Sequence, residues 1–382
     1  MNGSGRGKRV VSTIPHISVC MTTSTVTVNR LSQLEQARAA ILHEGANSSP
    51  LVPDWITQSW QRCLSSGMKP HHQVAFDPLT QAHIRRTLDQ NRELVTAAHP
   101  ELERLGRAIA GTSFFAMITD ANGIVIDVGS FIDRHDRRID AIARVGVELS
   151  EQAVGTTAIS AALSEKQPVW LHRGEHFFKD TSVYSCAGAP LWNGQGKCIG
   201  MLDLTGVMSQ ERPELKHLAA LSSRSISNAF LLRQAHHLLL RMNWPGRLGG
   251  DDNDGLMLLN DEGEVLGANM QARDMLSMAP DAHFHANDLF AIPMGLLFDA
   301  ASEPHAMEVP LWSGLNLQIR SQLQHACNNL QQPAATGALQ QIQSAMISKA
   351  ISQAKGNVAQ AAKTLGISRA TLYRKLSRKS SQ

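Results

Sequence analysis

The distribution of charge along the chain constrains its architecture more than any other feature. Residues 341–382 contain eight Lys and Arg residues and no Asp or Glu. The formal net charge of all 382 residues is only +3, so the rest of the chain carries −5. A short basic end on an otherwise acidic chain predicts a segment that binds a polyanion such as nucleic acid.

This basic end has the pattern of three short helices. Residues 339–355 show helical apolar spacing and end at Gly356, a residue that commonly terminates helices. The next segment, 358–365, has one apolar stripe whose alanines permit another helix to cross closely. Gly366 supplies a turn before a third helix, 369–376, which is basic on its outer face. The pattern predicts a helix-turn-helix.

The run GNVAQAAKTLGISRATLYRKL closely resembles the C-terminal helix-turn-helix of the Fis family and of the enhancer-dependent bacterial activators. The resemblance implies that double-stranded DNA is a partner and that the third helix enters its major groove. The positions that would meet DNA are Asn357, Ser368, Arg369, Thr371, Arg374, Lys375 and Arg378. A solvated basic helix that ends the chain is the alternative interpretation of the same residues.

Composition limits the remaining classes of protein. A length of 382 residues and a hydrophobic fraction of 43% fit two or three globular domains. No apolar run approaches the roughly 20 residues that a membrane-spanning helix needs. The five cysteines are far apart and odd in number, which argues against a disulfide framework. We therefore expect a cytoplasmic protein without membrane association, with residues 1–30 disordered and Met21 as an alternative start.

Residues 31–95 are predicted to be mostly helical, because apolar residues such as Leu34, Ala37 and Ile41 share one helix face. The segment SWQRCLSSGMKP, which begins at Ser59, resembles a motif that opens regulators of the acetoin-catabolism activator type. In that family the motif precedes a GAF domain. Such a domain is an antiparallel sheet with flanking helices and a pocket on one sheet face for a small effector.

A GAF domain is predicted at residues 96–212, and the resemblance to that family covers residues 113–206 of it. Two apolar runs in FFAMITDANGIVIDVGS flank the turn 120–123, which predicts a β-hairpin. VGVELSEQAVGTTAISAAL, GEHFFKDTSVYSCAGAPLW and GKCIGMLDLTG then follow in the order and at the separation of the family's segments. The resemblance implies a site for a small-molecule effector. Its candidate wall residues, each of which could instead be ordinary core, are Phe131, Trp170, Phe177, Tyr184 and Cys186.

Residues 172–176 read HRGEH and match the H-x-x-E-H pattern of one class of zinc peptidases. That chemistry needs both histidines on one face of a continuous helix, whereas QPVWL before them is predicted to be a strand and Gly174 interrupts the run. Cys186 and Cys198 are predicted to be packed thiols on neighbouring strands. We therefore expect no metal, no cofactor and no catalytic residue.

Residues 213–245 are predicted to form a connector helix of a kind that often dimerises, and WPGRLGGDDNDG is a linker. GLMLLNDEGEVLGANMQARDML resembles the opening of a PAS domain, and HAMEVPLWSGLNLQIRS alternates as closing strands do. A PAS-like domain is therefore predicted at 254–320, with a spacer that binds no ligand as the alternative. The expected fold class is α+β and multidomain: a GAF domain, a PAS-like domain and an all-α helix-turn-helix at 336–380.

Enhancer-dependent activators place an ATPase module with a Walker A loop between the sensor and the Fis-like domain. The sequence contains no G-x-x-x-x-G-K-[ST] run. We therefore expect a sequence-specific regulator that binds DNA as a homodimer, responds to a small effector and acts without its own ATPase, by occupying or bending DNA or by recruiting RNA polymerase. Three alternatives remain open: an adaptor that pairs with an ATPase-bearing regulator, a nucleoid-type DNA-bending protein, and a metal hydrolase that uses HRGEH.

Overall fold

The computed structural model describes residues 22–247, 249–303 and 305–324. The predicted disorder of residues 1–21 and the predicted helix-turn-helix at 336–380 lie outside the described residues, as do Cys20 and Cys327. In the described part of the chain, none of the helices is both long enough and apolar enough to cross a membrane.

The helices and strands follow one another in an order that divides the described chain into three regions: a helical start, a first sheet and a second sheet. The α-helices are α1 (Thr22–Leu42), α2 (Asp54–Ser65), α3 (Gln81–Gln90), α4 (Arg92–Ile109), α5 (Arg137–Ile142), α6 (Glu151–Val154), α7 (Ala158–Glu165), α8 (Leu215–Leu232), α9 (Met270–Met275), α10 (Ala286–Leu289) and α11 (Met294–Asp299). The strands are β1 (Phe114–Asp120), β2 (Val125–Val128), β3 (Val169–His172), β4 (Tyr184–Trp192), β5 (Cys198–Val207), β6 (Leu238–Asn243), β7 (Gly255–Leu259), β8 (Val265–Ala268), β9 (Met307–Pro310) and β10 (Asn316–Leu323).

Two five-stranded antiparallel sheets organise these elements, so the expectation of a chain with both helices and antiparallel sheets is confirmed. The strand order is β2-β1-β5-β4-β3 in the first sheet and β8-β7-β6-β10-β9 in the second. In each sheet the first and the last strand along the chain are neighbours: β1 pairs with β5 in the first sheet, and β6 pairs with β10 in the second. This arrangement brings residues far apart in sequence onto one sheet face.

The two faces of the first sheet are covered by different helices. The apolar faces of α4 and α8 pack on one side, against residues such as Leu202 and Leu204 of β5. Helices α5, α6 and α7 pack on the other side, against Met117 and Met201. Because side chains alternate along a strand, Asp203 and Thr205 face the side of α5–α7.

The predicted hairpin between β1 and β2 is confirmed. The Asp120 carboxylate accepts hydrogen bonds from the backbone N–H groups of Asn122 and Ile124, both at 2.9 Å. Gly123 has a φ of +80°, a conformation that glycine adopts without strain. The turn is therefore fixed by local chemistry, as its sequence indicated.

The predicted connector helix at 213–245 is wrong in its second half. Helix α8 ends at Leu232, and Leu238–Asn243 form β6, which pairs with β7 and β10 at the centre of the second sheet. The second sheet therefore begins before the Gly- and Asp-rich linker, whereas the PAS-like domain was predicted to begin after it. A short apolar run such as LLL fits a strand buried on both faces as well as it fits a helix.

The N-terminal helices pack together over the first sheet. Helix α1 begins at Thr22, so the predicted disorder of residues 1–30 is wrong for the segment from Thr22 onward. Leu34, Ala37 and Ile41 are buried, as their shared helix face predicted. They pack with α2 against Phe177 and its neighbour in one apolar cluster.

Candidate ligand site

A cavity of about 30 Å³ lies between the first sheet and helices α5–α7. Its wall is mostly apolar, with residues such as Met117, Ile142 and Ile159. The polar side chains that line it are Thr157, His176, Thr181, Tyr184, Cys186 and Thr205. A volume of this size holds about one or two water molecules, so a larger ligand requires the surrounding segments to move.

The structure brings two of the five predicted wall residues together. Tyr184 and Cys186 line the cavity. Phe131 is 42% exposed and lies against Gly106 of α4, on the other side of the sheet. Trp170 packs against Phe114 on that same far side, and Phe177 is fully buried among the N-terminal helices. The last three residues therefore do not line this cavity, which corrects the predicted wall.

His176 lines the cavity, and one nitrogen of its ring, Nε2, carries no proton. Its Nδ1 lies 2.8 Å from the backbone oxygen of Arg173. A carbonyl oxygen only accepts, so Nδ1 carries the proton and Nε2 is an acceptor. Nε2 lies 3.8 Å from the sulfur of Cys186. Burial lowers the pKa of His176 to about 4, so the ring is neutral near pH 7.

Asp203, which is not among the wall residues predicted from the sequence, is a fully buried carboxylate beside the cavity wall. It lies on β5 directly opposite Met117 and two residues before Thr205, both of which line the cavity. The Thr205 hydroxyl donates to Oδ2 of Asp203, whereas Oδ1 accepts no hydrogen bond from the described residues. Burial raises the pKa of Asp203 to about 7.

Side chains of α1 and α2 hold one segment of the cavity wall, residues 173–178. The Trp60 indole N–H donates to the backbone oxygen of Glu175 at 3.0 Å. The Arg38 guanidinium donates to the backbone oxygens of Gly174 at 2.7 Å and Phe177 at 2.8 Å. These bonds satisfy carbonyl groups that form no regular strand or helix pairing.

Helix α2 also holds a second segment of the wall, α6 and the turn that follows it. The hydroxyls of Ser59 and Thr156 lie 2.7 Å apart, and the Arg62 guanidinium donates to both carboxylate oxygens of Glu151, at 2.8 and 2.9 Å. We refer to Arg38, Ser59, Trp60 and Arg62 as the clasp. Because three of its four members belong to the SWQRC segment, that motif joins both wall segments to α2.

The HRGEH run forms the end of strand β3 and the turn that follows it. His172 ends β3 and Arg173–Glu175 form a 3₁₀ turn, so the two histidines do not share a face of a continuous helix. The buried Glu175 carboxylate accepts from the His172 backbone N–H at 2.6 Å and from Arg30 of α1 at 2.8 Å. Among the described residues, no group of three or more side chains is arranged to hold a metal ion.

The thiols of the described residues are free. Cys63 and Cys186 are buried and Cys198 is partly buried. Cys186 and Cys198 lie on the paired strands β4 and β5, as predicted, and no disulfide joins them.

A second cleft, of about 150 Å³, lies between α7, α8, β4 and the start of α9. Several of its polar side chains already have partners within the protein. Ser227 accepts from the backbone N–H of Trp192 at 3.0 Å, and Asn228 accepts from the Asn269 side chain at 2.9 Å. Asp203 has no such partner for Oδ1, so we place the candidate ligand site on the first sheet.

Family models match both parts of the chain. A model described as the MimR N-terminal domain matches residues 31–228, which is more than half of the chain. The chain belongs to this family. Its matched region begins in α1 and ends in α8, and so includes the clasp and the first sheet. A second model, described as bacterial regulatory protein of the Fis family, matches residues 338–378.

Several curated relatives of this MimR-family chain are named as transcription regulators. The acetoin catabolism regulatory protein of Cupriavidus necator is 29% identical over 234 residues, which cover 58% of this chain and 34% of that protein. The propane 2-monooxygenase operon transcriptional activator MimR of Mycolicibacterium smegmatis is 26% identical over 196 residues, covering 51% and 32%. The chain thus spans about a third of the length of these relatives.

Among solved structures, the crystal structure of the E. coli DhaR(N)–DhaL complex aligns with a TM-score of 0.45 and 15% sequence identity. The alignment covers 72% of this chain and 100% of the other.

Proposed function

We propose that the chain is a sequence-specific, DNA-binding transcription regulator that responds to a small-molecule effector. The observation that carries the proposal is the Fis-family match at residues 338–378, on a chain that also has a MimR N-terminal domain. The residues proposed to contact DNA lie outside the described residues and are Asn357, Ser368, Arg369, Thr371, Arg374, Lys375 and Arg378. As a DNA-binding regulator the protein would work in the cytoplasm.

The cavity on the first sheet is the proposed effector site. Tyr184, Cys186 and His176 line its wall, and beside it Oδ1 of Asp203 has no hydrogen-bond partner among the described residues. Because the cavity is small, an effector must displace the wall segments that the clasp holds. Binding would therefore favour one position of α1 and α2 over another, which is the differential interaction that a ligand needs to shift an equilibrium.

We also propose that regulation proceeds without an ATPase between the sensor and the helix-turn-helix. Residues 324–337 alone separate the end of β10 from the Fis-family match, and this is too short for a nucleotide-binding domain. The chain would then act by occupying or bending DNA or by recruiting RNA polymerase. A homodimer with two half-sites about one helical turn apart would supply the affinity that one small helix-turn-helix lacks.

The test is the binding of the purified chain to genomic DNA fragments, including its own upstream region, at one fixed salt concentration. We expect discrete sites that Arg369→Ala abolishes. Lys349→Ala removes the same charge outside the third helix and should leave the sites in place.

Two outcomes would replace the proposal. Uniform binding to all fragments, with the same loss for both variants, would indicate a nucleoid-type DNA-bending protein. Absence of DNA binding together with co-purification of an ATPase-bearing regulator would indicate an adaptor.

A further inference from the structure

The cleft between α7, α8, β4 and the start of α9 lies away from the cavity proposed for the effector. Ala189 of β4 and helix α8 line it, and both lie on the opposite face of the first sheet. Pro168, Pro190 and Leu231 form part of an apolar wall. The volume of about 150 Å³ is large enough for a ring of the size of benzene.

The neutral polar side chains of this cleft are bonded within the protein. The Ser223 hydroxyl donates to the backbone oxygen of Pro190, and the Ser227 hydroxyl donates to the backbone oxygen of Ser223 at 2.9 Å. The Asn269 amide donates to the side-chain oxygen of Asn228 at 2.9 Å. Because a hydroxyl carries one proton, neither serine has a proton left for a ligand.

Two cations line the same cleft. Lys166 follows the end of α7 and Arg224 lies on α8, whereas no Asp or Glu of the described residues lines it. Within the described part of the chain, neither cation forms an ion pair. Arg224 donates to the side-chain oxygen of Asn253, which uses one of its five N–H groups. The carboxylate of Asp251, on that same turn, accepts from the Asn253 backbone N–H at 2.8 Å and does not line the cleft.

We propose that this cleft is a second binding site, which takes a small organic carboxylate with an apolar body about the size of a benzene ring. The carboxylate would accept hydrogen bonds from Arg224 and Lys166, since a guanidinium can bind a carboxylate through two parallel hydrogen bonds. The apolar body would cover Pro190 and Leu231 and remove them from water. The site is separate from the effector cavity, so the inference does not rest on the proposed function.

A ligand in this cleft would contact elements of both sheets. Ala189 and Pro190 belong to β4 of the first sheet. Asn269 and Met270 begin α9, which packs in the core of the second sheet through Ala272. A carboxylate bound to both would favour one placement of the two sheets over others, which couples the sheets through the ligand.

The experiment measures the binding of four probes to the purified full chain by calorimetry at one fixed ionic strength. The probes are benzoate, benzamide, benzylammonium and acetate, each raised to millimolar concentration. We expect benzoate to bind and benzamide, which has the same shape without the charge, to bind at least about tenfold more weakly, since hydrogen bonds between charged groups are the stronger ones. Acetate lacks the apolar body and should also bind more weakly, and benzylammonium should not bind.

Four substitutions test the lining. Arg224→Gln and Lys166→Gln each remove one positive charge and should each weaken benzoate binding by about fivefold or more. Lys216→Gln removes a charge from the same helix about two turns before Arg224, outside the cleft, and should leave binding unchanged. Ala220→Leu places a larger side chain in the cleft and should weaken benzoate binding without a change in charge.

Hydrogen exchange locates the bound probe, because residues 341–382 carry a positive charge that could attract an anion instead. Benzoate should slow amide exchange in residues 189–193 and in residues 269–272. Slowed exchange in residues 341–382 alone would overturn the inference. So would equal binding of benzamide or acetate, the same loss of binding in Lys216→Gln as in Arg224→Gln, binding that survives both Arg224→Gln and Lys166→Gln, or no binding of benzoate.

Discussion

The first and second sheets have related strand orders, but the buried aspartate of each sheet has different hydrogen-bond partners. Asp254, before β7, accepts hydrogen bonds from the Asn243 amide and from the Gly250 N–H at 2.7 Å. Asp203, in β5, accepts one hydrogen bond and keeps Oδ1 free of any donor among the described residues. A satisfied buried carboxylate supports the fold, whereas an unsatisfied one costs stability. The difference indicates a structural role for Asp254 in the second sheet and supports the proposed effector site beside Asp203 in the first.

The two sheets also differ in what covers them. The core of the second sheet consists of aliphatic, methionine and phenylalanine side chains, including the fully buried Phe290. The face of the first sheet that holds the cavity mixes apolar residues with Cys186 and Thr205, and two of its wall segments are tied to the N-terminal helices by the clasp. We therefore expect the position of the two wall segments to depend on α2, whereas the core of the second sheet does not.

The largest expected effect comes from removing a fully buried aromatic side chain from each region. Trp60→Ala and Phe290→Ala should each lower the free energy of unfolding of their region by about 3–5 kcal/mol, because both leave a cavity. Trp60→Ala also removes the donor to Glu175, so it alone should speed amide exchange in residues 173–178. Segment-resolved hydrogen exchange measures both the two stabilities and the exchange of this segment. Equal acceleration of that segment in both variants would show that the clasp has no special role.

The second effect concerns the satisfied aspartate. Asp254→Leu leaves the Asn243 amide and the Gly250 N–H without their acceptor and should destabilise the second sheet by about 2–3 kcal/mol. Asp261→Leu, at a residue whose side chain is 71% exposed, is the matched control and should change stability by less than about 0.5 kcal/mol. Denaturant unfolding followed by hydrogen exchange measures the stability of the second sheet in both variants. If both variants lost the same amount, the hydrogen bonds to Asp254 would contribute nothing measurable.

Much of the fold could be predicted from local patterns. The hairpin turn at 120–123 and the strands β9 and β10 lie where the turn residues and the alternation indicated, and β7 and β8 lie in the run that resembled the opening of a PAS domain. Strand β6 could not be predicted, because its pairing partners in β7 and β10 are remote in sequence and its leucine run has no periodicity of its own.

The site was less predictable, because sequence patterns do not say which of the two alternating sets on a strand faces the cavity. Trp170 pairs with Ala187 and faces α4 and α8, whereas its neighbour Leu171 pairs with Cys186 and faces the cavity side. Aromatic size was the wrong criterion for Phe131, Trp170 and Phe177. The better indication was Asp203 itself, an acidic residue inside the apolar run GMLDLTG.

The third effect has the opposite sign to that of Asp254→Leu. Asp203→Leu should raise the free energy of unfolding by about 1–3 kcal/mol near pH 7, since it removes an unsatisfied buried carboxylate. The folded pKa is raised from 3.8 to about 7, so the contribution of this carboxyl is fully present below about pH 4 and is lost as the pH rises through 7. The advantage of the variant should therefore grow from pH 4 to 7 and then level off.

Urea unfolding of the two proteins at matched pH values measures this difference. His176 has a pKa lowered from 6.5 to about 4, so its contribution is lost as the pH falls through that window. That loss occurs in both proteins and cancels in the difference between them. A difference that is constant with pH, or a destabilised variant, would mean that Oδ1 of Asp203 has a partner after all.

The smallest expected effect tests what one hydroxyl of the clasp contributes. Ser59→Ala removes the hydroxyl that donates to the Glu151 carboxylate and contacts the Thr156 hydroxyl, and it should cost about 1 kcal/mol, because Ser59 is buried and Thr156 is fully buried. Ser66 lies just after the end of the same helix, and its exposed hydroxyl donates to the backbone oxygen of Arg62. Ser66→Ala removes this hydroxyl and should cost less. The turn that Ser59 holds leads into Thr157 and Ala158 of the cavity wall, so Ser59→Ala should also speed amide exchange in residues 155–158. Unchanged exchange there with reduced overall stability would mean that Ser59 does not hold this part of the wall, and the first sheet would then differ from the second in its aspartate alone.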